Sequence, residues 1–413
     1  MNRTPTPEEF DITVQQLTEK YDGLWREFPD GVPEFSRRFT PWQQRENERQ
    51  LELHLKKLPP SLDMNDVLHD AEKSHISFDA MKAIAGSSIL SRDILNDKYF
   101  EDSEKTTKRF VKEAKEFDPS LSENDIHQAL RNLWVFNNIQ MIFGREIDLT
   151  PSSFAYSLLY PVTDNGLDSS TRTPVEKQDY IRWLSRWFES DNCRPVDEWT
   201  EKTAALLRMI EKEYPRREFS GLYLSLRAIH QAQTKSLLLH NIKSDCDEES
   251  LTAITIEKGG TSVLVDGFLS AGSLDTPEAD ALFEYGVLLQ LVDDLRDVDE
   301  DGINGHSSPF SRIAEKGELD TSTGRLLFFV KHCAGNLSNL NQFHGQQIRE
   351  MIEQSCSFLI LETAARHPDF YSKPFLHDIE CWMPMRPAFL KELQSKIEMR
   401  QTQGAPNPRF TLA

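Results

Sequence analysis

The stretch Tyr285–Phe310, YGVLLQLVDDLRDVDEDGINGHSSPF, constrains the fold more than any other part of the chain. Its first half, Tyr285 to Val292, is apolar almost all round, the pattern of a helix buried on every side and therefore central to the molecule. The second half carries Asp293, Asp294, Asp297, Asp299, Glu300 and Asp301 against a single Arg296. Asp293, Asp297 and Asp301 recur at i, i+4 and i+8, so three carboxylates share one helical face. Like charges at that spacing cost a few tenths of a kcal/mol per pair, and acids near a helix C-terminus also oppose the macrodipole. A cation is expected at this face. Mg²⁺ suits it, because that ion takes one or two protein carboxylates, with Asp294 as a further candidate ligand, and completes its shell with water and phosphate oxygens. Two rivals stand beside the metal site. One is a solvated acidic helix end. The other is an EF-hand loop, in which Asp297, Asp299, Asp301 and Gly302 match the first, third, fifth and sixth positions, while Ser308 stands where a closing Glu is required.

The 413-residue chain has no Gly/Ser-rich or Pro-rich linker, which favours one large domain with an N-terminal extension over two or three separate ones. A net charge of −20 and a pI near 5.0 argue against a nucleic-acid backbone as partner. No apolar run approaches the ~20 residues that span a bilayer, and the first residues lack a signal layout, so a cytoplasmic protein without a transmembrane segment is expected. Five cysteines with no CxxC spacing point to neither a disulfide framework nor a structural zinc site.

Helix-start signals recur along the chain. Thr6-Pro7, Thr173-Pro174 and Thr276-Pro277 each read as a cap followed by Pro at the first helical position, with Glu9 and Glu176 completing capping boxes in the first two. Ala129 to Phe143 is mostly apolar and reads as core. In SFAYSLLYPVTDNGLDSSTRT, a single helix places Tyr156, Tyr160, Asp164 and Asp168 on one face, two aromatics leading into two carboxylates. Pro161 within it either bends that helix or starts a new one. Lys258 precedes Gly259 and Gly260, where backbone can approach a bound group, so a phosphate contact or a turn with a solvated lysine is expected there. Scarcely any alternating strand pattern occurs, and the chain reads as all-α. Nucleotide-binding glycine loops, HExxH and Gly-x-Ser-x-Gly elements are lacking.

Two acidic motifs on helices far apart in sequence, an aromatic approach to one and a lysine before the other, resemble the class I isoprenoid synthase superfamily. The likeness covers residues 125 to 385. Asp164-Asn165-Gly166-Leu167-Asp168 stands for the first motif and Asp293-Asp294-Leu295-Arg296-Asp297, continuing to Asp301, for the second. DVDEDGINGHSSPF is similar in layout to the acid-then-Gly segment of squalene/phytoene synthases and bacterial large-terpene synthases. The resemblance implies a helical bundle around a central cavity; the N-terminal part (1–60), which it does not explain, reads as an extension, 61–402 as the catalytic domain, and the tail with Pro406 and Pro408 (403–413) as mobile. It further implies three Mg²⁺ held by Asp164, Asp168, Asp293, Asp294, Asp297 and Asp301, a prenyl diphosphate contacted by Lys258, Arg227, Tyr156 and Tyr160, and room for a homodimer. The first motif departs from DDxxD, since Thr163 and Asn165 flank Asp164. Only Arg172 follows Asp168 where elongating enzymes carry paired arginines. A lyase-type terpene synthase is expected on that ground, with a head-to-head condensing enzyme as the alternative and a non-catalytic, metal-stabilised helical protein as the alternative of another class.

Overall fold

The computed structural model describes residues 5–55, 97–169, 171–189, 193–240, 248–304 and 307–393. In chain order they form α1 (Pro7–Glu27), α2 (Pro41–Leu55), α3 (Asp97–Phe117), α4 (Glu123–Ile142) and α5 (Pro151–Asp168). Next come α6 (Pro174–Glu189), α7 (Glu198–Glu213), α8 (Ser220–His240), α9 (Glu248–Ala271) and α10 (Thr276–Arg296). The last are α11 (Val298–Asn304), α12 (Pro309–Ala314), α13 (Asp320–Ser338), α14 (Gly345–Arg366) and α15 (Lys373–Glu380), with a 3-10 turn at Pro368–Phe370. Among the described residues there is no strand, so the all-α expectation holds. Residues 61–96, Cys246 and the tail 403–413 lie outside the described residues.

Helices α9 and α10 make the centre, and three glycines decide how close they come. A Cβ at Gly286 would fall 2.1 Å from the Gly259 carbonyl oxygen, and one at Gly260 would fall 2.4 Å from the Phe283 ring. The two backbones therefore touch. Here the structure corrects the reading of Lys258-Gly259-Gly260 as a turn: the segment lies inside α9, and the backbone that approaches the glycines is that of α10. Leu282, Phe283, Val287, Leu288, Leu291 and Leu295 of α10 are fully buried. Each such side chain contributes about 1.5–3 kcal/mol by leaving water, which is why an all-round apolar sequence seeks this position.

Around that pair, α8 packs on α9, α13 and α14 pack on α10, and α4 and α5 close another side together with α7. Helix α1, which the sequence assigns to the extension, lies against α9, α10 and α13. Its Tyr21 is fully buried and stacks on Phe283 at 5.9 Å, and Trp25 meets Phe310 edge-on.

The capping boxes at Thr6/Glu9 and Thr173/Glu176 form as read, each worth about 1 kcal/mol. At α10 the cap lies one residue earlier than expected. Asp275 takes the position, its carboxylate accepting from the Glu278 N–H at 2.9 Å, and Thr276-Pro277 follow inside the helix. Helix α5 runs unbroken through Pro161, so Tyr156, Tyr160, Asp164 and Asp168 belong to one helix at four-residue spacing. Cys193, Cys333, Cys356 and Cys381 are free thiols. No helix among the described residues is long and apolar enough to cross a membrane.

Candidate active site

Where α10 ends, the backbone leaves the helical path at one residue, Asp297 (φ −91°, ψ 6°), before α11 begins at Val298. Asp297 caps α10, its N–H donating to the Asp293 carbonyl at 3.0 Å, and the Asp301 N–H donates to the Asp297 carbonyl at 2.8 Å. These two bonds keep four-residue spacing from Asp293 to Asp301, but Asp301 stands on a helix separate from that of Asp293, which corrects the reading of the three acids as one face of a single helix. Helix through Asn304 also removes the EF-hand reading, since that motif needs an open loop here.

The carboxylates at this end are crowded. Asp293 is paired with Arg131 of α4. Asp294 accepts from the Gln290 amide at 2.7 Å, and burial pushes its carboxyl up to about 8. Asp297 is pushed up to about 7, first by burial and then by the charge of Asp293, with Arg131 opposing. Both shifts come first from burial and then from the neighbouring acids, so ionising this group of acids is costly.

Helix α5 brings the first motif to the same place. The Tyr160 hydroxyl is pushed up by the charge of Asp164 first, then by burial and by Asp293, while Lys258 and Arg131 oppose the shift. Asp164 and Asp293 thus act on one hydroxyl from two helices. The rest of the first motif is occupied with packing. Asn165 donates to Asp125 at 2.6 Å and Gln128 at 2.9 Å on α4, and a Cβ at Gly166 would strike the Trp199 indole at 2.3 Å. Asp168 is the last residue of α5, and its side chain lies outside the described residues.

Beside the acids, α5, α6, α8, α9 and α10 enclose a pocket of about 630 Å³, its open mouth included. Tyr156, Leu159, Leu184, Phe188, Leu226 and Ile229 make it largely apolar, while Tyr160, Lys258 and Gln290 line it as well and connect it to the carboxylates. The Tyr156 hydroxyl donates to the Ser262 carbonyl of α9 at 2.9 Å, fixing that ring in the wall. Lys258 acts electrostatically on both Tyr160 and Asp294. On the α4 side Asn132 lines the pocket and donates to Ser157 and to Asp266, each at 3.2 Å. Burial pushes the Asp266 carboxyl well above the usual range.

One expected contact is not here. Arg227 of α8 donates to the Asp11 carboxylate at 2.6 Å and to the Pro7 carbonyl at 3.0 Å, so it ties α8 to the start of α1 instead of lining the pocket. Reading from sequence missed Arg131, Asn132, Gln290 and His230. A usable signal existed for the first two: they interrupt the apolar run from Ala129 to Phe136, where a polar residue beside core positions demands a partner.

Among the described residues, no three acid, histidine or cysteine side chains stand close enough to share one metal ion. No family model matches this chain, and no curated protein or solved structure matches it either.

Proposed function

We propose that the chain is a class I isoprenoid-synthase-type enzyme that ionises an allylic prenyl diphosphate and converts the cation to a terpene product. The observation that carries the reading is that the charges of Asp164 and Asp293, from two helices, both act on Tyr160, which lines an apolar, aromatic-walled pocket together with Lys258.

Mg²⁺ fits the donor set in its chemistry. The donors are hard carboxylate oxygens, and Asp294 and Asp297 retain protons where a cation would relieve the repulsion. Asp164, Asp293, Asp297 and Asp301, with Asp168 and Asp294, would supply one or two carboxylates to each of three such ions, and phosphate and water oxygens would complete the shells. When bound, the ion neutralises charge developing on a departing diphosphate. The remaining work falls to the chain itself. Lys258 supplies a positive charge in the pocket wall, and the ion pair with Asp293 keeps Arg131 beside the same carboxylates. Tyr156 and Tyr160 offer π faces worth about 0.5–2 kcal/mol each to an adjacent cation, and the apolar wall excludes the water that would quench it.

Incubating the protein with Mg²⁺ and allylic diphosphates of increasing chain length, with and without labelled isopentenyl diphosphate, tests the reading. A hydrocarbon or alcohol with the carbon count of the single substrate supports a lyase. A doubled carbon count identifies the head-to-head condensing alternative, and incorporation of label identifies chain elongation. Failure to turn over any of them, with no Mg²⁺-dependent diphosphate binding, leaves a non-catalytic helical protein.

A further inference from the structure

Helix α4 carries neither acidic motif, yet it is bonded to both. Asp125 and Gln128 accept from Asn165 of the first motif at 2.6 and 2.9 Å. One turn further along the same face, Arg131 Nη2 donates to Asp293 Oδ1 of the second. The charge of Asp293 holds the Arg131 guanidinium above its ordinary value against burial, with Tyr160 and Asp297 adding to the effect, so the cation stands among groups of α5 and of α10. Its pairing is nevertheless open. A guanidinium has several N–H donors, and the bond to Asp293 is the sole hydrogen bond that Arg131 makes to the described residues. The Arg131 side chain is 43 % exposed and that of Asp293 29 %, so a ligand can reach the pair. Arg386 shows the opposite case: its Nε and Nη2 fork onto both oxygens of Glu48, which is buried, and that pair is closed.

We propose that Arg131 exchanges partners as the site fills: it competes with a divalent ion for Asp293 and, when displaced, turns its donors to the diphosphate. The proposal rests on the reading of these acids as metal ligands given above. Competition follows from the contact itself. The Asp293 oxygen that accepts from Nη2 is one that an ion would need, and a divalent charge on that carboxylate repels a guanidinium held against it. The displaced fork has a second use, because a phosphate offers paired oxygens that suit a planar guanidinium as well as a carboxylate does. Diphosphate thus gives Arg131 another partner and leaves Asp293 open to the ion. Binding of the two ligands is thereby linked: the ion by itself works against Arg131, whereas ion and diphosphate together are held more tightly than their separate affinities imply. The same arginine that guards Asp293 in the free protein makes the site assemble only around both ligands.

Direct binding measurements test the exchange without recourse to turnover. Mn²⁺, which takes the same oxygen ligands as Mg²⁺ and is followed by electron paramagnetic resonance, is titrated into wild type, Arg131→Gln and Arg131→Met. Each protein is checked for folding by near-UV circular dichroism, and the affinity for inorganic diphosphate at a fixed Mn²⁺ concentration is measured by calorimetry. The two affinities should move in opposite directions. Without diphosphate, the variants should hold Mn²⁺ about tenfold more tightly than wild type; with Mn²⁺ present, they should hold diphosphate about tenfold more weakly. A residue that merely fastens α4 to α10 would weaken both. If Arg131→Gln does not fold, Arg131→Met decides. Mn²⁺ binding that is unchanged or weaker in a folded variant, or diphosphate binding that is unchanged, overturns the exchange and leaves the metal reading standing. Wild type that takes up no Mn²⁺ even with diphosphate present overturns both.

Discussion

Helix α10 carries carboxylates toward both of its ends, a buried one at its start and half-buried ones at its end, and treats them in opposite ways. Toward its start, Glu284 is fully buried and surrounded by donors from other helices. Its Oε1 is 2.5 Å from His332 Nδ1, and its Oε2 accepts from Asn336 at 2.7 Å and from the Tyr21 hydroxyl at 3.5 Å. Toward its end, Asp293, Asp294 and Asp297 have mainly one another, with Arg131 and Gln290 as the principal relief. The first arrangement binds α1, α10 and α13 together. The second stores repulsion that a cation would discharge. A buried acid matched with donors is structural; a group of acids short of them is available for chemistry.

The largest test of that contrast is Glu284→Ala. It strands His332, Asn336 and Tyr21, and is expected to cost about 3 kcal/mol in urea unfolding, while a loss below ~1 kcal/mol would erase the distinction. Gly286→Ala comes next. Forcing a Cβ against the Gly259 carbonyl should separate α9 from α10 at a cost of about 1–3 kcal/mol, whereas Gly302→Ala, which meets nothing within 4 Å, should gain up to ~1 kcal/mol.

Asp297→Asn should act in the opposite direction to Glu284→Ala. The folded-state value of Asp297, about 7, lies above the ordinary 3.8, so its ionisation destabilises the fold fully above pH 7, and the penalty is relieved as pH falls through 7. The variant should therefore be more stable than wild type by ~1 kcal/mol at pH 8, with the gap closing below pH 7. A pH-independent gap would remove Asp297 from the crowded set. The smallest effect belongs to His332. Its bond to Glu284 raises it above 6.5, so the stabilisation is complete below pH 6.5 and fades as pH rises through the folded value. His332→Gln should flatten that alkaline decline in melting temperature, and an unchanged slope would show that another group titrates.

The acid end of α10 was legible because helical periodicity is local: residues four apart share a face whatever surrounds them. The same holds for α5, where the face from Tyr156 to Asp164 survives Pro161. Partner choice was not legible. Arg227 and Arg131 look alike in sequence, yet Arg227 finds Asp11 on α1, and Arg131 finds Asp293 on α10. Gly259-Gly260 correctly signalled a close backbone approach, but a lone sequence does not say whether a ligand or another helix approaches, and here it is Gly286 and Phe283. The cap of α10 was misplaced because Asp275, one residue ahead of the Thr-Pro pair, supplies a carboxylate to the helix start.

The central claim is that the crowded carboxylates hold a metal for diphosphate departure, and Asp297→Ala tests it most directly. Mg²⁺-dependent diphosphate release from an allylic diphosphate, measured beside thermal melting, should fall about a thousandfold or more while the melting temperature stays level or rises. Full Mg²⁺-dependent release by a folded Asp297→Ala protein would contradict it.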